Sequence, residues 1–407
     1  MNCRHCRTFL KHIFLDLGCL PLSNAYLTKN NLSKTEISYP LKVFVCDQCW
    51  LAQTEDYTNS KELFTAQYAY FSSTSTSWLL HAKNYADKMI KELKLNSQSY
   101  VIELASNDGY LLKNFLAANI PCLGIEPTVG TADAAKRIGV PVMCKFFDKD
   151  LGHKLSLDKK KADLVIGNNV YAHVPDINDF TMGLKEILKK NGTITLEFPH
   201  LMRLIEHTQF DTIYHEHFSY LSLYTVCRIF EKIGLRIFNV EQLNTHGGSL
   251  RIYGCHFDDD RKTQKSVSLL LQEEKKKRLQ KIETYQNFQI RVDKIKKNLI
   301  KFLLEQKDKG KKVVAYGAAA KGNTLLNYAG IKTDLLPFVF DAAPAKQGYF
   351  MPGSHIPISS PKYLADAKPD YVLILPWNIA PEIRKQNVIL EKKGVRFMIA
   401  VPDLKIL

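Results

Sequence analysis

No apolar run in the 407-residue sequence approaches the length needed to cross a bilayer. The first eighteen residues place basic groups ahead of a short apolar stretch. His12 and Asp16 interrupt it, so no secretory signal is expected and a cytoplasmic protein is. There are no internal repeats and no low-complexity tracts beyond a lysine bias. The G-x-G-x-x-G spacing of a dinucleotide loop is missing from the strand-to-helix turn that would carry it. The pair H-E-x-x-H, which places two histidines on one helix face for zinc, is missing as well. Aromatic residues do not alternate with arginine along a face, which speaks against a single-stranded nucleic acid platform.

What is present is the composition of a water-soluble globular chain: 45% hydrophobic, 24% charged, 11% aromatic. The length calls for two or three domains. The formal net charge of +15 invites a nucleic-acid reading. Much of the excess, however, sits in runs such as Lys159–Lys161 and Glu274–Arg278, which read as solvated surface. An acidic small substrate such as a nucleoside diphosphate fits the charge equally well.

Apolar residues at three- and four-residue intervals predict a helix over 78–93. Strand and helix then alternate. Strands are expected at 100–104, 121–127, 162–169 and 193–199, with helices at 111–119, 131–139 and 179–192 between them. Two further strands, 235–243 and 248–257, follow each other across a short turn and so form an antiparallel hairpin. Residues 261–311 are charged and helical in period, and a second strand–helix series begins at Lys311. The fold class is therefore α/β. We expect an N-terminal module and substrate-contacting segment at 1–76 and, at 77–260, a Rossmann-like sheet closed by an antiparallel hairpin, as the methyltransferase version of this fold is. A helical connection at 261–311 and a smaller Rossmann-like α/β domain at 312–407 complete the chain.

Cys3, Cys6, Cys46 and Cys49 form two C-x-x-C pairs at opposite ends of a fifty-residue stretch. Each pair can turn two thiolates toward one ion, and four thiolates close a tetrahedral Zn²⁺ shell, which makes the site structural. Disulfides fit a reducing compartment poorly, and unlinked buried thiols are the remaining alternative. Cys19, Cys122, Cys144, Cys227 and Cys255 are scattered and read as packing residues.

The turn Glu103-Leu104-Ala105-Ser106-Asn107-Asp108-Gly109 leaves a strand and opens a helix. Small residues there let backbone amides approach a ligand. The next strand ends in Glu126-Pro127, where a carboxylate can accept both hydroxyls of a ribose. A further strand ends in Asn168-Asn169, placed to meet an adenine or a methionyl group. One glycine and several acidic and amide groups would repel a pyrophosphate. They suit the ammonium and sulfonium charges of S-adenosylmethionine, although Ala105 stands where glycine is usual.

After the fifth strand comes Phe210–Tyr220, with two imidazoles, a carboxylate and two phenols within seven residues, Tyr214 to Tyr220. His173 follows the strand that ends in Asn168-Asn169. Both segments should emerge at the carboxyl edge of the sheet beside the cofactor, supplying a base near neutral pH and a carboxylate to orient it. His215 and His217 could chelate a metal from one face of a strand, but no third ligand is evident. Packing is the other alternative.

Taken together, the paired C-x-x-C module with DLGCLPLSNAY and YPLKVFVCDQC, AQYAYFSSTSTS, ELASNDG, GIEP, NNVYAHVPD, LEFPHL, DTIYHEHFSYLSL, GGSLRIY, AYGAAAKGN and ILPWN resemble one family. It comprises the sugar C-methyltransferases that act on nucleotide-linked 4-keto-6-deoxyhexoses, and the resemblance spans essentially the whole chain. It implies that a proton α to the sugar ketone is lost and that the enolate takes a methyl group from S-adenosylmethionine. It implies further that His217 is the base, that Glu216 orients it, and that Tyr214 and His173 stabilise the enolate oxygen. Tyr68, with Tyr70 beside it, matches an additional active-site tyrosine. Ser73, Lys321 and Asn323 match substrate contacts, the last two from a third domain that closes over the nucleotide.

Methylation of a sugar oxygen or nitrogen could use the same residues, since it needs lone-pair alignment and at most a base. An RNA-directed methyltransferase would require affinity that falls steeply with salt. Neither a nucleic acid nor a membrane is expected as a partner, and the sequence leaves a monomer open.

Overall fold

The computed structural model describes residues 1–57, 71–158 and 160–407. The described residues build three sheets. The first is antiparallel, in the order β1 (His12–Pro21), β2 (Ser38–Val45), β3 (Ala52–Thr54) and β9 (Ser219–Tyr220).

The second sheet is the large one. Its parallel part runs β6 (Val142–Met143), β5 (Cys122–Ile125), β4 (Val101–Leu104), β7 (Ala162–Asn168), β8 (Leu188–Pro199). Beyond β8 lies β11 (Ser249–His256), antiparallel, and β10 (Leu235–Leu243) forms the edge. The last strand in sequence is thus inserted between β8 and β10, the closing hairpin expected of a methyltransferase sheet.

The third sheet runs β14 (Ile358–Ser359), β13 (Val339–Phe340), β12 (Val313–Tyr316), β15 (Tyr371–Ile374), β16 (Arg396–Ile399), β17 (Lys405–Ile406). All its neighbours are parallel except β16 and β17. Helices Lys265–Lys276, Glu283–Gln286 and Phe288–Asp308 join it to the second sheet.

Local chemistry sets several boundaries. The helix Thr76–Glu92 starts where Ser75 Oγ accepts from the amide of Trp78. The helix Leu223–Ile233 is capped by Ser222 and ended by Gly234 at φ +82°, a left-handed position glycine adopts without strain. The helix expected over 179–192 occupies Ile177–Ile187 instead. Leu188 already pairs with Ala162 of β7, so the Lys189–Gly192 stretch is drawn into β8.

The apolar core does not divide sheet by sheet. Three zinc-module thiols, Cys3, Cys46 and Cys49, lie in one cluster with Leu104, Phe198 and Ile252 of the second sheet. Another joins Phe14 and Val43 of the first sheet to Phe210 and Ile213 after β8, to Leu325 of the helix Ala320–Ala329, and to Val339 and Leu373 of the third sheet. Each such fully buried side chain contributes about 1.5–3 kcal/mol. The three sheets are therefore held by shared cores, and the segment Phe210–Tyr220 runs through the junction. Of the scattered cysteines, Cys19 and Cys144 are exposed rather than packed, Cys227 is half-buried, and Cys122 and Cys255 are buried.

Candidate active site

A cavity of about 590 Å³ opens at the carboxyl edge of the second sheet, where ligands of open α/β sheets bind. One wall is made by Ala105, Asn107, Glu126, Pro127, Asn168 and Asn169. The opposite wall carries His173, Tyr214, Glu216 and His217, and the third sheet closes it with Lys321, Lys346 and Asn378.

The loop wall is preset. The Glu126 carboxylate accepts from the amides of Asn107 and Thr128, both at 2.9 Å. Asn107 Oδ1 accepts from the amide of Ser72 and Asp108 Oδ2 from that of Ser73. Three non-glycine residues of this edge hold left-handed backbone: Ala105 (φ +53°), Asn107 (+50°) and Asn169 (+53°). Asparagine tolerates that region. Ala105 does not, and costs about 1–2 kcal/mol there.

On the facing wall, Nδ1 of His217 lies 2.8 Å from the carbonyl of Thr212. A carbonyl only accepts, so Nδ1 carries the proton and Nε2 holds the lone pair. The ring packs against Tyr214 at 4.0 Å between centroids and edge-on to His173 at 4.6 Å. Burial, His173 and Lys321 all push the His217 pKa well below the ordinary histidine range. Burial holds His173 down to about 4. Both imidazoles are thus neutral at pH 7.

A half-buried cation stands beside them. Lys321 Nζ donates to Asn378 Oδ1 at 2.8 Å and lies 4.7 Å from the centre of the Trp377 ring. Burial pushes it down to about 8, against the attraction of Asp211. Asp211 is in turn pushed up to about 6 by burial, although Lys321 and the indole N–H of Trp377 at 2.7 Å favour its charged form.

The Phe210–Tyr220 segment is gripped from both sides. From the zinc module, Asn24 donates to Glu216 Oε1 at 2.5 Å, the Tyr39 carbonyl meets His215 Nε2 at 3.2 Å, and Thr54 Oγ1 donates to the His217 carbonyl at 3.2 Å. From the third sheet's side, Thr324 Oγ1 donates to the carbonyl of Ile213 at 2.9 Å.

Comparison with known proteins decides the family. C-methyltransferase NovU of Streptomyces niveus is 32% identical over 393 residues, 97% of this chain and 93% of its own length. Three family matches tile the sequence: a zinc binding domain over 3–64, a methyltransferase domain over 75–240 and a C-methyltransferase C-terminal domain over 244–402. The chain belongs to the S-adenosylmethionine-dependent C-methyltransferases. Slighter likenesses extend to solved structures. A magnesium protoporphyrin IX methyltransferase from Synechocystis with S-adenosylhomocysteine bound is 13% identical, with a TM-score of 0.34 over 44% of this chain and 82% of that one. A methyltransferase from Clostridium acetobutylicum is 9% identical, with a TM-score of 0.35 over 43% and 90%.

The residues of this C-methyltransferase fit both groups the family uses. Around the loop, Glu126 retains lone pairs beyond its two amide bonds. Asn168, 8% exposed, has both its amide nitrogen and oxygen without a hydrogen-bond partner among the described residues. Of the acidic residues Glu103, Asp108 and Glu126, Glu126 lines the cavity and would face the ammonium and sulfonium charge of a bound ligand. These are the groups that would hold S-adenosylmethionine.

The four Cys Sγ atoms lie within 4.8 Å of one another, with Cys3–Cys49 and Cys6–Cys46 each at 3.5 Å. A tetrahedral Zn²⁺ with bonds of about 2.3 Å spaces its sulfurs at roughly 3.8 Å. The two knuckles are built alike. Arg7 N donates to the Cys3 carbonyl and Trp50 N to that of Cys46, each at 3.0 Å, with φ +65° and +63° at Arg7 and Trp50. This is the only such cluster among the described residues. His215 Nε2 meets the Tyr39 carbonyl and His217 Nδ1 that of Thr212.

Other residues singled out in the sequence stand differently. Glu103 is fully buried behind the cavity wall, with both oxygens unpartnered among the described residues and its pKa raised well above the carboxylate range by burial, Glu126 and Asp108. Asp108 also lies behind the wall, and an added Cβ at Gly109 would strike Val140, so that residue faces packing. Ser73 is exposed, and Ser72 takes the place beside the cavity. Asn323 is buried away from it, accepting from Asn327 at 3.0 Å. Glu216 bonds to Asn24, and at Nδ1 of His217 a backbone carbonyl does the orienting assigned to that carboxylate. Tyr68 and Tyr70 lie outside the described residues.

The structure adds residues that sequence reasoning passed over. Phe146 and Phe147 line the cavity beyond Glu126, and Trp78 and His246 line it beside Asn169. Asn24 sits within DLGCLPLSNAY and Trp377 within ILPWN. Both runs stood out, yet neither residue's partner is near in sequence.

Proposed function

We propose that this enzyme methylates a carbon next to the ketone of a nucleotide-linked sugar, of the dTDP-4-keto-6-deoxyhexose class, with His217 as the base. One observation carries the reading: a buried imidazole, its Nδ1 taken by a backbone carbonyl, lines the same cavity as the cofactor wall, with a phenol and a half-buried ammonium beside it.

His217 Nε2 takes the proton from the carbon α to the ketone while Thr212 fixes the ring through Nδ1. As charge moves to the ketone oxygen, Tyr214 and Lys321 are the groups that lower its cost. Oriented donors act strongly in a site from which water is largely excluded. His173, packed edge-on to His217, limits the ring's freedom to turn. Bound S-adenosylmethionine would supply the methyl group, carried on sulfonium sulfur, that the carbanionic carbon takes up. Lys321 and Lys346, on the third-sheet side of the cavity, offer positive charge to the diphosphate of the substrate. The C-terminal unit is thereby given the nucleotide.

The test is His217→Asn, which keeps a side chain of similar polarity and removes the base. Calorimetry should show S-adenosylmethionine binding as in the parent, while turnover falls about 10²–10⁴-fold. Turnover within a few fold of the parent would remove His217 from the role.

A further inference from the structure

Arg4 is the second residue of the first zinc knuckle, and its side chain is 6% exposed. A buried guanidinium needs acceptors for its fork, and those it finds lie on two separate segments, one just after His173 and one at the end of β3. One terminal nitrogen donates to the carbonyl of Pro175 at 2.6 Å, two residues after His173. The other donates to the carbonyl of Thr54 at 2.8 Å, and Asp56 takes the fork in a bidentate pair at 2.8 and 3.4 Å. Thr54 in turn holds the base segment, through its hydroxyl to the His217 carbonyl at 3.2 Å and its amide to the Phe218 carbonyl at 3.1 Å. The guanidinium also lies over the Phe218 ring, 5.4 Å from its centre.

The other end of Arg4 is fixed to the metal site. Its amide donates to Gln53 Oε1 at 2.8 Å, and Gln53 Nε2 donates to the Cys3 sulfur at 3.2 Å. Gln53 is fully buried, and on β3 it pairs with Ser219 of β9, two residues after His217. A thiolate sulfur that accepts such a bond holds the amide's orientation, as groups around a metal's ligands do.

We infer that Arg4 is a positioning residue for proton abstraction. It ties the His173 and His217 segments to one another and to the zinc knuckle, so that the metal site sets the geometry of the base. This rests on the reading of His217 as base. The zinc module is then more than a fold-stabilising appendage, because its first knuckle reaches the two segments that carry the imidazoles. The consequence falls on kcat and not on cofactor affinity, since none of the groups Arg4 bonds belongs to the wall of Glu126 and Asn168.

The experiment compares the full-length zinc-loaded parent with Arg4→Lys and Arg4→Gln, using a dTDP-4-keto-6-deoxy sugar as probe. Zinc content, S-adenosylmethionine affinity, kcat and KM are measured for each. Loss of the fork should lower kcat about 100-fold in Arg4→Gln, the size of effect a misplacement of about 1 Å produces. Arg4→Lys, which keeps one donor and the charge, should recover part of it, and zinc and cofactor affinity should match the parent in both. A kcat within twofold of the parent in Arg4→Gln would overturn the inference. Should Arg4→Gln fail to fold or lose its zinc, Arg4→Lys decides: a fall in kcat of about fivefold or more with zinc retained supports positioning. Parent-like kcat in Arg4→Lys, or loss of zinc there too, makes Arg4 a residue of knuckle folding only and overturns the inference. Failure of the His217 reading looks different, as an inactive parent or an active His217→Asn.

Discussion

As the proposed base, His217 requires an unprotonated Nε2, which its surroundings favour. Because burial, His173 and Lys321 depress its pKa below the ordinary 6.5, the acid limb of kcat/KM should lie below pH 6.5, and a limb at or above that value would contradict the account. The same depression has a stability cost of definite sign. Burial holds His173 and His246 near 4, while in the unfolded chain they titrate near 6.5. The unfolded state therefore binds more protons between those values. Their contribution is intact above pH 6.5 and is lost as pH falls toward 4, so the melting temperature should drop between pH 7 and pH 5. Ala105 gives a prediction of the opposite kind. Relief of its left-handed strain, less the entropy glycine forfeits, makes Ala105→Gly neutral to about 1 kcal/mol stabilising with cofactor binding kept. Urea unfolding checks the first and calorimetry the second. At this scale the sequence announced residue types better than pairings. A histidine beside a glutamate reads as an oriented pair, but the chain turns Glu216 to Asn24, and a carbonyl five residues back holds the imidazole. Backbone carbonyls leave no mark in a sequence, and Asn24 lies 192 residues from its partner.

Among the elements, the zinc module and the base segment form one structure, because β3 pairs with β9 directly after His217. Cys46→Ser should therefore release zinc and lower turnover together, with the S-adenosylmethionine wall left in place. Metal content measured beside activity checks this, and zinc loss at full activity would separate the module from the chemistry. The strand–helix alternation of the large sheet was legible because each element carries its own period, and the C-x-x-C pairs because ligand spacing is local. The two-residue β9 was not, since only a partner far along the chain makes Ser219-Tyr220 a strand. The helix expected through Gly192 stopped early for a related reason: Leu188 has Ala162 to pair with, and no local signal reports that.

In the molecule as a whole, the third sheet is fastened into the same core as the zinc module and the base segment. Trp377 marks the join. Its indole N–H holds Asp211, its ring lies beneath Lys321, and it packs so closely on Gly247 that a side chain there would collide with it. Trp377→Ala should raise KM for the sugar nucleotide about tenfold or more, the loss expected when an aromatic anchor is truncated, with S-adenosylmethionine affinity kept. Unchanged KM would detach the third sheet from substrate binding. The net positive charge of the sequence pointed toward an anionic partner without locating it, because surface lysines and the cavity-lining Lys321 look alike in composition.

The central claim is that the enzyme makes a carbanion next to a ketone before it transfers methyl. Solvent deuterium exchange into dTDP-4-keto-6-deoxyglucose, followed by NMR with and without S-adenosylmethionine, tests it most directly. The account predicts deuterium at a carbon adjacent to the ketone with the parent enzyme, methylation at that same carbon once the cofactor is added, and neither with His217→Asn. Methylation at a sugar oxygen or nitrogen with no deuterium at carbon would contradict it.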